Sequence, residues 1–112
     1  QIKAAVEAFP GNERVVVIGS GGISHWVGTA EMGRVNETFD RGILDMAVRG
    51  DLNALTSLSD EHILAEGGNG AMELRNWACA MGAMPGAQGE VIDYAAVPEW
   101  VTGLGFVELK AA

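Results

Sequence analysis

A run of branched residues, Val15-Val16-Val17-Ile18, is cut off by Gly19-Ser20-Gly21-Gly22 and followed closely by His25. Consecutive β-branched side chains predict a buried strand from about Arg14 to Gly19. The glycines after it let the chain turn sharply and approach another group closely, because no Cβ intervenes. His25 is thereby offered at the mouth of a strand, where α/β folds usually bind their ligands. Imidazole moves protons well near neutral pH. A hydrogen-bonded structural histidine in a glycine turn fits the same residues, and the local sequence leaves both readings open.

The 112 residues suffice for one domain or part of one. A formal net charge of −8, with the seven Lys and Arg scattered, argues against nucleic acid and against an anionic membrane surface as partners. No apolar run approaches the roughly 20 residues of a membrane-spanning helix. Cys79 is the lone cysteine, so no internal disulfide can form and a reducing cytoplasm is the default location. Ile2, Val6 and Phe9 fall at helical spacing with no capping residue before them. That is the expectation for the back half of a helix, and so for a processed or truncated chain.

Pro10-Gly11 should stop that first helix. After the strand, Val27 to Arg34 reads as loop and Val35 to Val48 as a helix with Val35, Phe39, Ile43 and Leu44 near one face. Gly50-Asp51 breaks it, and a short helix follows from Leu52 to Leu58. Ser59 is placed to cap a helix through about Glu66, with Asp60 and Glu61 complementing its positive end. Beyond Gly67-Gly68-Asn69-Gly70, Asn69 is the expected cap of a helix carrying Leu74, Trp77, Ala78 and Met81. Glu90 to Val97 alternates as a strand, and Gly105 to Leu109 is a weaker one. The order predicts an α/β layer fold.

Glu73 stands apart among the acids, in the first turns of a helix after a glycine-rich loop. Backbone N–H groups there favour a carboxylate, and an anionic oxygen so held suits a hard or borderline divalent metal. Equally, a glutamate at that place stabilises its helix by about 0.3–1 kcal/mol and needs no further role. His62, beside two acids, reads as a solvated surface residue. The five methionines are irregularly spaced and read as core fillers. Trp26, Trp77 and Trp100 are each core candidates, and Trp26 and Trp100, next to glycine-rich loops, are also candidate walls of an aromatic pocket. Gly19-Ser20-Gly21-Gly22 lacks the spacing of a dinucleotide fingerprint.

Several blocks in order carry a resemblance: Ser20-Gly21-Gly22-Ile23-Ser24-His25-Trp26, then Gly33-Arg34-Val35-Asn36-Glu37-Thr38-Phe39-Asp40-Arg41, then Gly50-Asp51, then Gly68-Asn69-Gly70-Ala71-Met72-Glu73-Leu74-Arg75-Asn76-Trp77. Together they resemble the C-terminal part of class III extradiol ring-cleavage dioxygenases, the family of the protocatechuate 4,5-dioxygenase β subunit and gallate dioxygenase. The likeness covers nearly the whole chain. It implies the C-terminal part of a single layered α/β domain, with a mostly buried sheet flanked by helices. It further implies a non-haem Fe(II) enzyme that inserts both atoms of O2 into a catecholic ring next to the diol, the iron held by two histidines and a carboxylate.

In that resemblance Glu73 matches the iron-binding carboxylate. His25 matches an acid/base that does not bind iron, takes a proton from the catechol and later returns one. Trp100 and Thr102 match, loosely, the stretch that meets the substrate ring or its acidic substituent. Both iron-binding histidines of the family belong to its N-terminal part, which is absent from residues 1–112. The resemblance therefore implies a polypeptide that supplies them, with a small second subunit and an oligomeric assembly as further expected partners. A triad of His25, His62 and Glu73 is the weaker option, because it would use up the acid/base. The alternatives are a non-catalytic binding or scaffold protein on the same fold, and a relative acting on another diol such as an aminophenol or a dihydroxyphenylpropionate.

Overall fold

Asn36 opens the helix around which the rest is arranged. The computed structural model describes residues 1–111. The Asn36 side chain accepts from Phe39 N at 3.2 Å and starts α2 (Glu37–Val48). Asp40, Ile43, Leu44 and Ala47 fall on one face at helical spacing and are all buried. Gly50, at φ +67°, turns the chain out of α2, and Asp51 caps the short α3 (Leu52–Thr56) by accepting from Ala54 N at 2.9 Å. As expected, Ser59 caps α4 (Asp60–Gly67), accepting from His62 N at 3.1 Å. A 3-10 turn over Asn69–Glu73 then leads into α5 (Leu74–Ala83), which buries Leu74, Trp77 and Met81. At the N-terminus, α1 (Ile2–Ala8) buries no residue.

The chain ends in an antiparallel hairpin of β1 (Gln88–Val97) and β2 (Thr102–Lys110), joined by a 3-10 turn at Pro98–Trp100 and by Val101 in the left-handed region at φ 57°. The register steps from Val91↔Val107 to Asp93↔Phe106, so Ile92 is an extra residue in β1. This bulge swaps which residues face the helices. Gly89 faces Ala47 before it, while Tyr94 is packed against the core after it. On β2 the absence of a side chain at Gly105 admits Ile23 and Leu44, either of which a Cβ there would strike.

The α/β reading holds: helices pack on a two-stranded antiparallel sheet. The sheet is less enclosed than the sequence leads one to expect, because helices cover one face and most of β1 is exposed. The buried strand expected at Arg14–Gly19 is not present as such. Val15–Ile18 has no strand partner among the described residues, and Val16 and Ile18 are 79% and 81% exposed. A β-branched run favours extended backbone, but a strand also needs a neighbour for its N–H and C=O groups. The run instead borders an apolar groove of about 890 Å³, together with Trp77, Met81, Phe106 and Leu109. Among the described residues no helix is long and apolar enough to cross a membrane.

Tyr94 joins the hairpin to α2 by donating its hydroxyl to Asp40 Oδ2 at 2.7 Å. Burial first, and this hydrogen bond second, raise its pKa well above the ordinary tyrosine range, with Glu37 adding to the rise and Arg41 opposing it. A raised folded-state pKa means a stabilising contribution that is complete below the unfolded value of about 10 and is lost as pH climbs through the folded one. Tyr94 is the one tyrosine of the chain, so its phenolate absorbance can be followed alone. It should rise only well above the pH at which the urea-unfolded chain titrates. Coincident titration curves for folded and unfolded chain would show that the Asp40 contact does not hold the proton.

Candidate active site at three glycine segments

Three glycine-containing stretches meet at His25. The first is its own loop, which β2 holds from one side: Ile23 N donates to Gly103 O, and Gly103 N donates to Ser24 O, both at 2.9 Å. The second is the end of α4 with the turn after it. His25 N donates to Gly67 O at 2.8 Å, and Gly70 N donates to His25 O at 3.0 Å. The third is the segment before the histidine, laid along α5, where Asn76 Nδ2 donates to Ser20 O and Trp77 Nε1 to Gly21 O. These bonds use up the polar backbone around His25 and leave its ring as the variable part.

The ring itself is oriented. His25 Nδ1 lies 3.1 Å from the Ile23 carbonyl oxygen, which can only accept, so Nδ1 carries the hydrogen. Nε2 is then directed at Glu73 Oε2, 3.4 Å away. The His25 side chain is 13% exposed and that of Glu73 48% exposed, so the pair lines an opening rather than a closed core. Glu73 does not cap α5. Its Oε2 instead accepts from Gly22 N at 3.2 Å, which turns the carboxylate toward the glycine loop.

The glycines here are required by contact. At Gly21, with φ +128°, a Cβ would press on the Glu73 side chain, and at Gly70 it would fall into the imidazole ring of His25. Gly22 has Thr102 Oγ1 and the His25 ring against the place where its Cβ would be. Thr102 is therefore gathered into the same spot, its hydroxyl donating to Gly103 O at 3.1 Å. Trp100 is not: it sits in the hairpin turn and is 69% exposed. Trp26, weighed as a pocket wall, is buried against Gly68 with Arg34 4.5 Å over its ring.

His62 lies 6.2 Å from the Phe39 ring, between centroids, on exposed α4. No group of three His, Cys, Asp or Glu side chains among the described residues is arranged to hold a metal. A triad of His25, His62 and Glu73 is thus not assembled. The Glu73 carboxylate, exposed and held by a single backbone donor among the described residues, fits one oxygen donor of a set for a borderline metal, with the His25 imidazole beside it.

Asn69 departs from expectation. It does not cap the following helix; its Oδ1 accepts from Val27 N at 2.8 Å and its Nδ2 donates to Val27 O at 2.9 Å. A side-chain amide matches both polar groups of one peptide residue, so the clasp replaces the cap and ties the chain after His25 to the turn before Glu73. Asp40 and Ser24, both fully buried behind His25, are the other site residues that sequence reasoning passed over. Asp40 lies within the block Gly33–Arg41, but nothing in its local sequence marks a helix-face aspartate as buried.

Gly70 is not in the left-handed region, so its backbone tolerates alanine and only the imidazole opposes one. In Gly70→Ala the nitrogen chemical shifts of the His25 ring should leave the Nδ1–H pattern of the parent. Unchanged shifts would mean that the ring is not seated against residue 70.

Comparison with known proteins places these features in a family. A family model described as "Catalytic LigB subunit of aromatic ring-opening dioxygenase" matches residues 1–105. A Burkholderia vietnamiensis protein named 2,3-dihydroxyphenylpropionate/2,3-dihydroxicinnamic acid 1,2-dioxygenase is 36% identical over 86 residues, 74% of this chain and 27% of the relative. A Paraburkholderia phymatum protein of the same name is 36% identical over 81 residues, covering 70% and 26%. One from Rhodococcus sp is 28% identical over 111 residues, covering 96% and 34%. The chain spans about a quarter to a third of the length of the curated relatives it matches. With the match running over nearly its whole length, the chain belongs to the family of the catalytic LigB subunit of aromatic ring-opening dioxygenases, the class III extradiol enzymes.

Proposed function

We propose that this chain forms part of an extradiol ring-cleaving dioxygenase that uses Fe(II) and O2 on a catechol carrying a carboxylated side chain. The observation that carries this reading is the approach of His25 Nε2 to Glu73 Oε2 at 3.4 Å, with Nδ1 tied to Ile23 O. Family membership supports the reaction class. The relatives' names support the substrate class, since they specify a 2,3-diol bearing a propionate chain and a cut at the 1,2 bond, beside the diol. Protocatechuate and gallate, suggested first by the resemblance, receive no such support, and the dihydroxyphenylpropionate alternative takes their place.

In this reading Glu73 supplies the carboxylate ligand of the iron. Fe(II), when bound, links the diol and O2 electronically, which no side chain of the site can do. His25 acts beside it as acid/base. Its Nδ1–H is committed to the Ile23 carbonyl, so Nε2 is the atom that receives a proton from a substrate hydroxyl and later gives one back. Glu73, adjacent and anionic, stabilises the imidazolium formed in between. Thr102, against the Gly22 face of the site, is a candidate substrate contact, whereas the exposed Trp100 is a weaker one. The two nitrogen ligands of the iron lie, in this reading, in sequence outside residues 1–112, since no group of three metal donors is assembled among the described residues. The exposed Val16, Ile18 and Phe106 along the apolar groove support further polypeptide packing there.

The test is oxygen uptake by the completed, anaerobically Fe(II)-loaded enzyme. 2,3-Dihydroxyphenylpropionate should be turned over in preference to protocatechuate, and no uptake with any catechol would sink the proposal. His25→Ala should keep its iron and lose turnover by on the order of 10²–10⁴; undiminished turnover would remove His25 from the chemistry. Glu73→Ala should fail to retain iron on desalting, and a parental iron content would contradict its role as ligand.

A further inference from the structure

We infer that Asp40, clamped by Tyr94, is a positioning residue for His25, acting through the backbone of Ser24. The inference rests on the proposed role of His25 as acid/base. Asp40 and Ser24 are both 0% exposed. Asp40 Oδ1 accepts from Ser24 N at 2.8 Å and Oδ2 from the Tyr94 hydroxyl at 2.7 Å. Among the described residues no Lys or Arg forms an ion pair with this carboxylate; the neighbouring Arg41 lies over the Tyr94 ring at 5.0 Å instead. A buried carboxylate without a cation is a poor source of stability. What it does supply is two acceptor oxygens at fixed places.

Those oxygens hold the residue next to His25. Ser24 has its N–H on Asp40, its carbonyl on Gly103 N and its Oγ accepting from Asn36 N at 2.8 Å. Every polar group of Ser24 is thereby committed, and the peptide that enters His25 has one orientation. Tyr94 keeps the carboxyl group from rotating away. Its pKa is pushed up, so it remains a donor throughout the ordinary pH range. Gly103 makes the room, since a Cβ there would overlap Asp40 Oδ2. Without the acceptor, a buried Ser24 N–H would be left unpaired, and the loop would shift to satisfy it. A displacement of about 1 Å at a catalytic group can cost on the order of 10²-fold in rate.

The experiment compares Asp40→Ala, Asp40→Asn, Tyr94→Phe and the double variant Asp40→Ala/Tyr94→Phe in the completed, iron-loaded enzyme. Asp40→Ala should lower kcat about 10²-fold and Tyr94→Phe about 10-fold, with KM and iron content near the parental values. The double variant should be no slower than Asp40→Ala, because Tyr94 works only through Asp40. Asp40→Asn, whose amide oxygen can still accept from Ser24 N, should recover most of the loss. A parental kcat in Tyr94→Phe, multiplied losses in the double variant, or iron lost along with turnover would each overturn the inference. If Asp40→Ala does not fold, Tyr94→Phe and Asp40→Asn decide. Hydrogen exchange at the Ser24 amide should also quicken in Tyr94→Phe. That readout stands even if the parent enzyme turns over no catechol, a result that would sink the proposed function and not the positioning contact.

Discussion

The backbone of residues 23–25 is stitched on two sides at once, to Gly103 of β2 and to Gly67 and Gly70 around the end of α4. These segments are far apart in the chain, and each is joined to His25 or its neighbours by hydrogen bonds of 2.8 to 3.0 Å. Each such bond is worth about 0.5–1.5 kcal/mol net, but a buried donor left unpaired costs more than that. The loop therefore has few alternatives to the conformation it adopts. Everything at the candidate site depends on that stitching, because it sets where the imidazole begins and which way it can point.

Close packing completes what the hydrogen bonds begin. Gly21 lies against the Glu73 side chain, Gly70 against the His25 ring, and Gly103 against Asp40. The absent Cβ atoms allow an imidazole and two carboxyl groups to occupy space that would otherwise be backbone clearance. Behind this layer lies the core of Ile23, Ile43, Leu44, Leu74 and Trp77, which belongs to the same loop and helices. Burying such side chains contributes about 1.5–3 kcal/mol each. The hydrophobic core and the site thus share Ile23, two residues from His25, so the rigidity of one is passed to the other.

The apolar groove, which shares Trp77 and Met81 with the core, follows a different logic. Val15–Ile18 is apolar and borders α5 and the hairpin, yet it pairs with no strand among the described residues. Exposed branched side chains on a segment with no strand partner among the described residues form an adhesive surface. The same residues that border the groove lead directly into Gly19 and the loop of His25.

Much of the local structure was legible in the residues themselves. Ser59 and Asp51 sit at helix starts, Gly50 at a break, and the inward faces of α2 and α5 follow from apolar spacing, because these features are decided by neighbours within a turn or two. The order of glycine blocks around His25 and Glu73 carried the family resemblance, and the match over residues 1–105 agrees with it. Contacts between distant segments were not legible. Asn69 reads as a cap but clasps Val27, Asp40 carries no local sign of its burial beside Tyr94, and the bulge at Ile92 that turns Tyr94 inward leaves no mark in a strand pattern. Capping and periodicity are short-range and can be read along the chain. The partner of a side chain many residues away is chosen by packing, and only the tertiary structure decides it.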